Sequence, residues 1–211
     1  MREVANYQYG GTIAAHAGVS ERADFIRKTY MHLFGAVLAF AALEAFLLTT
    51  ALPQIMMTAL GSSGRMGMLL LVGAFVGVSW IAESWAKSNT SSGMQYAGLS
   101  LYVVAEGVIF LPILWFAQTK FPDAISVAAA ITLLIFAGLT AIVFITGADF
   151  SFLRSVLMLG GLVAFGLVIC SMIFGFTLGL AFTVAMIALA SGYILYDTSN
   201  VLHHYRIGQH V

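Results

Sequence analysis

Residues 155–196 read SVLMLGGLVAFGLVICSMIFGFTLGLAFTVAMIALASGYILY, 42 positions without a charged side chain. As one helix they would extend about 63 Å at 1.5 Å per residue. That is about twice the thickness of a bilayer's hydrocarbon core. The chain therefore reverses inside this stretch, and the glycine-flanked residues Gly175 to Gly179 are the natural place for the turn. Two spans result, roughly 152–174 and 177–200. Further apolar runs precede them at about 29–51, 66–86, 93–118 and 123–146. The expected class is all-α: a polytopic membrane helix bundle with six visible spans.

Composition agrees. Of 211 residues, 61% are hydrophobic and 9% charged, against about 25% charged in soluble domains, and the mean hydropathy is +0.97. So few charges cannot cover a water-facing surface. The formal net charge is zero, which leaves no basic footprint and excludes nucleic acid as a partner. Cys170 is the single cysteine and has no internal disulfide partner.

Residues 1–28 form a polar tail carrying Arg2, Glu3, Glu21, Arg22, Asp24, Arg27 and Lys28. The tail lacks the pattern of a basic start, an apolar run and a small-residue cleavage site, so no removable signal peptide is expected. Ser20 is a candidate cap for a helix leading into the first span. Residues 29–206 make one transmembrane helical domain, because the loops are too short for a separate soluble unit. With the N-terminus inside, Arg2, Arg22, Arg27, Lys28, Lys87, Arg154 and Arg206 share one side and only Arg65 and Lys120 face the other. The positive-inside rule therefore puts the N-terminus in the cytoplasm. The GxxxG pairs Gly73/Gly77 and Gly175/Gly179 could let helices approach closely.

Four carboxylates fall within or at the edges of the spans: Glu44, Glu83, Glu106 and Asp197. Each costs about 2.5–3.5 kcal/mol at a bilayer centre on insertion scales, so such groups face a cavity or a partner. Glu83, beside Trp85 and Lys87, reads as an interfacial anchor. Glu44 either snorkels or is protonated, or it faces a cation path. Glu106 lies near the middle of the third span, six residues before Pro112. That proline frees the carbonyl of Val108. The combination is either a cation-binding surface or a neutral Glu bonded to irregular backbone.

Asp197 closes the sixth span, where a carboxylate opposes the helix dipole and needs a compensating partner. Lys87 and Arg154 lie on the same side, so a salt bridge to one of them is expected, with a protonation-sensitive latch as its functional extension. His203, His204 and Arg206 follow, where positive charge suits a helix end. Asp149, just before the fifth span, reads as a structural cap for its free N–H groups, and Ser151 could do the same.

The sequence gives little reason to expect an enzyme. His16 and His210 sit in polar tails, His32 near the start of the first span, and His203 and His204 are adjacent. Adjacent residues do not face one way on a helix, and there is no H-E-x-x-H pattern. No metal site or cofactor is expected, and no nucleophile-elbow, phosphate-loop or dinucleotide motif is present.

Three stretches resemble one family. Asp149-Phe-Ser-Phe-Leu153 and Tyr193-Ile-Leu-Tyr-Asp-Thr-Ser-Asn-Val-Leu-His-His204 look like the two best markers of the Bax inhibitor-1 (transmembrane Bax inhibitor motif) family. Glu106-Gly-Val-Ile-Phe-Leu-Pro-Ile113 is similar to its third-helix motif, with Leu111 where many members have Gly. The span spacing matches over roughly residues 22–206, and the N-terminus with Thr29-Tyr30 looks most like the bacterial, YccA-like branch.

The resemblance implies a seven-helix protein of the bacterial inner membrane with the last helix central. It also implies a pH-sensitive calcium leak gated by an aspartate pair. Asp197 would be the first of the pair. The second has no counterpart before Val211, so a longer natural chain with a seventh helix is expected. On this reading Asp197, Arg154 and Lys87 form the pH sensor or gate, Glu106 and Glu44 are cation-path candidates, and calcium is the permeant ion. The alternative is a non-conducting regulator, or slow substrate, of a membrane-anchored AAA protease that grips the polar tail.

Overall fold

A computed structural model describes residues 13–87 and 91–205. The first twelve positions of the polar tail, including Arg2 and Glu3, lie outside the described residues, as do Arg206 and His210. Six helices follow in order: α1 (Val19–Leu47), α2 (Leu52–Ala86), α3 (Ser92–Lys120), α4 (Ala124–Thr146), α5 (Arg154–Phe174) and α6 (Gly179–His203). Short 3₁₀ turns, Ala14–His16 and Ser151–Leu153, precede α1 and α5. No β-strand occurs among the described residues. All six helices are long and apolar enough to cross a membrane, and the protein is a multi-pass membrane protein.

The helices differ from the apolar runs at their ends. α1 starts at Val19 rather than near 29, with Gly18 at its N-cap and no side-chain cap, so Ser20 sits inside the first turn instead of capping it. α2 reaches back to Leu52 and is bent at Gly64, whose φ of 56° and ψ of −140° are non-helical. Below the bend, Pro53 occupies the first turn, where a missing N–H costs nothing. α3 is assigned as one helix through Pro112, which is buried beside Leu111.

The reversal expected near Gly175 falls at residues 175–178, with Gly175 in the left-handed region at φ 77°. Gly175 and Gly179 therefore flank a turn and do not form a helix-packing pair. Around Gly73 and Gly77 there is open space where a side chain would go. The close approach in this bundle is at Gly98. A methyl group there would lie 2.5 Å from the Ala86 nitrogen and 2.6 Å from the Ala82 oxygen, so α2 and α3 meet backbone to backbone.

α3 packs on α1, α2 and α4, while α6 packs on α4 and α5, and α2 also touches α5. The chain runs up and down, so the start of α1, the loops after α2 and α4, and the end of α6 share one end of the bundle, here termed proximal. At the distal end, Arg65 donates to the Ile173 carbonyl at 3.1 Å, which places a cation at the α5 C-terminus where the dipole favours it. Large apolar side chains cover the outside: Ile145 is 84% exposed, Leu180 78% and Trp80 76%. Such a surface is stable only in lipid.

Candidate functional site

Packing is tightest at the proximal end of α6. Thr198, Ser199, Asn200, Val201 and Leu202 are consecutive and all buried. Three of them are polar, so their burial requires hydrogen-bond partners. Ser199 is fully buried. It accepts the Phe150 N–H at 2.9 Å and donates its hydroxyl to Asp149 Oδ1 at 3.2 Å. Tyr30 of α1 reaches Thr198 Oγ1 at 3.5 Å, and Tyr193 donates to the Leu157 carbonyl of α5 at 3.0 Å. One turn beyond Ser199, His203 Nδ1–H donates to the Ser199 carbonyl at 3.0 Å.

Asp149 does not cap α5, whose N-cap residue is Leu153 and has no side-chain cap; its contacts lie ahead of the helix. Its Oδ1 accepts the Ser151 N–H at 2.9 Å, at the head of the 3₁₀ turn leading into α5. Oδ2 lies 3.6 Å from His204 Nε2, an ion pair only when that imidazole is protonated. The Ser151 amide above all, then the Ser151 side chain, His204 and Ser199, hold this carboxyl below the usual aspartate value. Ser151 supplies its amide here, while Asp149 provides the accepting oxygen.

The expected salt bridge at Asp197 is not formed. Lys87 pairs with Glu83, one turn earlier in α2. Arg154, the first residue of α5, makes no ion pair among the described residues, and neither does Asp197. A local i,i+4 pair on an exposed helix face requires no second helix to be positioned, which is why Glu83 takes the lysine. Asp197 and Lys87 still share a neighbour. The Tyr205 hydroxyl is raised above its usual pKa mainly by burial, then by the Asp197 and Tyr196 charges, with Lys87 opposing. Both charges therefore act at the proximal edge, around Tyr205.

Glu44 and Glu106 occupy neighbouring positions in the α1–α3 contact. Glu44 is 4% exposed, and neither carboxyl oxygen has a hydrogen-bond partner. It faces Gly107, where an added methyl would come within 3.7 Å of Glu44 Oε1 and 2.8 Å of Leu43 Cδ2. Glycine at 107 thus lets α1 approach the helix that carries Glu106. Glu106 itself is half-buried with the Tyr102 hydroxyl beside it, one turn earlier. The unpartnered Glu44 carboxyl suits a neutral acid or a carboxylate that holds a cation. An open groove of about 580 Å³ runs between α1 and α3 from His32 and Tyr96 to Leu43, just short of Glu44. Tyr96 and His32 close its proximal end with a 2.8 Å hydrogen bond.

Among the described residues, no three His, Cys, Asp or Glu side chains come together as a metal site. Sequence reasoning did not single out Ser199, Thr198 or Tyr193. The available signal was the Thr-Ser-Asn run closing an apolar helix, which reads as a solvated end but is the best-buried segment in the bundle.

Two of the three sequence stretches that carried the family resemblance, 149–153 and 193–204, are therefore in contact. A family model described as "Inhibitor of apoptosis-promoting Bax1" matches residues 22–211. An uncharacterized protein of Pseudomonas aeruginosa is 28% identical over 201 residues, covering 93% of this chain and 82% of that protein. No solved structure matches. The family match spans nearly all of α1, the whole of the other five helices and both of the stretches that meet at Ser199, and on it the chain belongs to the Bax inhibitor-1 family.

Proposed function

We propose that this protein is a pH-sensitive calcium leak of the bacterial inner membrane, gated at the proximal, cytoplasmic end of α6. The observation that supports it is the position of Asp197. This carboxylate has no ion pair among the described residues and immediately precedes the buried run 198–202. Adding or removing a proton there changes the charge beside the contact that anchors the helix, and so shifts the population of anchored and released states. Tyr205 interacts electrostatically with Asp197, and the other charged and titratable groups at this end are Lys87, Glu83, Tyr196, Arg154, Asp149 and the His203–His204 pair. Lys87 and Arg154 are the candidate counter-ions once α6 moves. Glu44 and Glu106 are the candidate carboxylates along the cation path.

The test is calcium flux into dye-loaded liposomes at pH 6, 7 and 8, with Asp197→Asn alongside. A flux that varies with pH in wild type and loses that variation in the variant supports both leak and sensor. A pH dependence that survives Asp197→Asn removes Asp197 from the mechanism.

The second reading is a non-conducting regulator, or slow substrate, of a membrane-anchored AAA protease. Its support is the polar N-terminal sequence, which carries Arg2, Glu3 and Glu21 ahead of the first apolar run. Flux no greater than in empty liposomes at every pH favours it, and deletion of residues 1–20 should then abolish capture by such a protease.

A further inference from the structure

Ala14 precedes the first helix and is nevertheless fully buried. Its side chain shares an apolar cluster with Phe25 of α1 and Val201 of α6, and Ile26 and Tyr30 pack against that cluster. Its backbone N–H donates to the Tyr205 carbonyl at 2.9 Å, just beyond α6. The turn closes on itself through the His16 N–H and the Ile13 carbonyl, also at 2.9 Å. Residues 13–17 thus lie across the junction of α1 and α6, held among the described residues by this backbone bond and by the buried Ala14 methyl group. A larger side chain at 14 would overfill the spot. On another side of the same α6 turn, Ser199 binds Asp149 and the Phe150 amide. Contacts from α1, from the segment 149–150 and from residues 13–17 therefore hold the last turns of α6, and the last of these belongs to the segment that continues into the N-terminal tail.

We propose that residues 13–17 are a clasp coupling the N-terminal tail to α6, so that displacing the tail releases the turn 198–203 and with it Asp197. The consequence for calcium flux rests on the leak reading above; the coupling itself does not.

The experiment uses the full chain in liposomes and reads two quantities, amide hydrogen exchange over residues 198–203 and calcium flux. Ala14→Arg should accelerate exchange there at least tenfold. In a Cys170→Ser background, Ala14→Cys combined with Val201→Cys should form a disulfide that slows exchange, and reduction should restore the wild-type rate. Flux should rise and fall in the same order. Unchanged exchange in Ala14→Arg, or a cysteine pair that fails to oxidise or oxidises without slowing exchange, overturns the clasp. Exchange that responds while flux stays at background in every variant supports the clasp and overturns the leak. Should Ala14→Arg not fold, the cysteine pair decides alone, since its oxidised form is compared with its own reduced form.

Discussion

The Ser199 hydroxyl accepts the Phe150 amide proton at 2.9 Å and gives its own proton to Asp149 Oδ1 at 3.2 Å. One buried side chain thereby ties the end of α6 to the segment leading into α5, using both its donor and its acceptor capacity. Ser199→Ala leaves the Phe150 N–H without this partner and takes one donor from Asp149. Leaving a buried group unpaired costs about 1–3 kcal/mol, so thermal unfolding in detergent should show a clearly lower midpoint. An unchanged midpoint would mean that water replaces the hydroxyl and that the contact does not anchor α6.

Asp149 makes that anchor sensitive to acid. Its folded-state pKa lies below the ordinary 3.8, chiefly because of the Ser151 amide. The unfolded chain therefore takes up the proton first as pH falls, so the carboxylate's contribution is full above the ordinary value of 3.8 and is lost progressively as pH falls below it through the lower folded-state value. Asp149→Ala should cost about 1 kcal/mol at pH 7, the usual magnitude for a lost hydrogen bond, reduced by the exposure of the side chain. The gap between the melting curves of variant and wild type should narrow as pH falls below about 4. An equal gap at pH 7 and pH 3 would show that the charge of Asp149 is irrelevant to the anchor. This window also separates Asp149 from any response between pH 6 and 8.

Glycines in this bundle are not equivalent. At Gly98 a methyl group would lie 2.5 Å from the Ala86 nitrogen. Because the neighbour is backbone, α3 must shift off α2, and overpacking of this kind costs about 1–3 kcal/mol. Gly73→Ala and Gly77→Ala meet open space, and alanine is favoured over glycine in a helix by up to about 1 kcal/mol. Unfolding midpoints should fall for Gly98→Ala and hold or rise for the other two. A stable Gly98→Ala would mean that α2 and α3 are not in backbone contact.

Arg65→Ala should loosen the distal end without touching the proximal one. The guanidinium serves the Ile173 carbonyl in the last turn of α5, and a cation at a helix C-terminus contributes about 0.3–1 kcal/mol. Amide exchange should quicken at the end of α5 and remain at the wild-type rate over residues 198–203. Acceleration at both ends would show that the two ends open as one unit.

The helix count was legible because bilayer crossing demands long apolar runs, and the reversal at 175–178 was legible because 42 uncharged residues are too many for one crossing. The extension of α2 back to Leu52 was not, since residues 52–63 mix apolar and polar side chains without a clear period. Nor was the Lys87 pairing. Glu83 and Asp197 were both available partners, and the sequence alone does not say that the helix-local one wins. The GxxxG pairs misled because spacing shows only that a close approach is permitted, while helix placement decides where one occurs. At the candidate site, 149–153 and 193–204 stood out as motifs, yet the bond from Ser199 to Asp149 spans 50 positions and leaves no periodic trace.

The packing at the proximal end also sets an order of assembly. Tyr30 and Thr198 are 168 positions apart, and Ala14 reaches still further, to Tyr205. A chain inserted into the membrane as it is synthesised places α1 long before α6 exists. Phe25 and Tyr30 therefore wait, without the partner that later covers them, until α6 is in place. Such long-range contacts are slow to close, and the proximal end stays open until α6 has been made. Insertion of α6 is the step that seals this end, and the buried turn 198–202 is the mark it leaves.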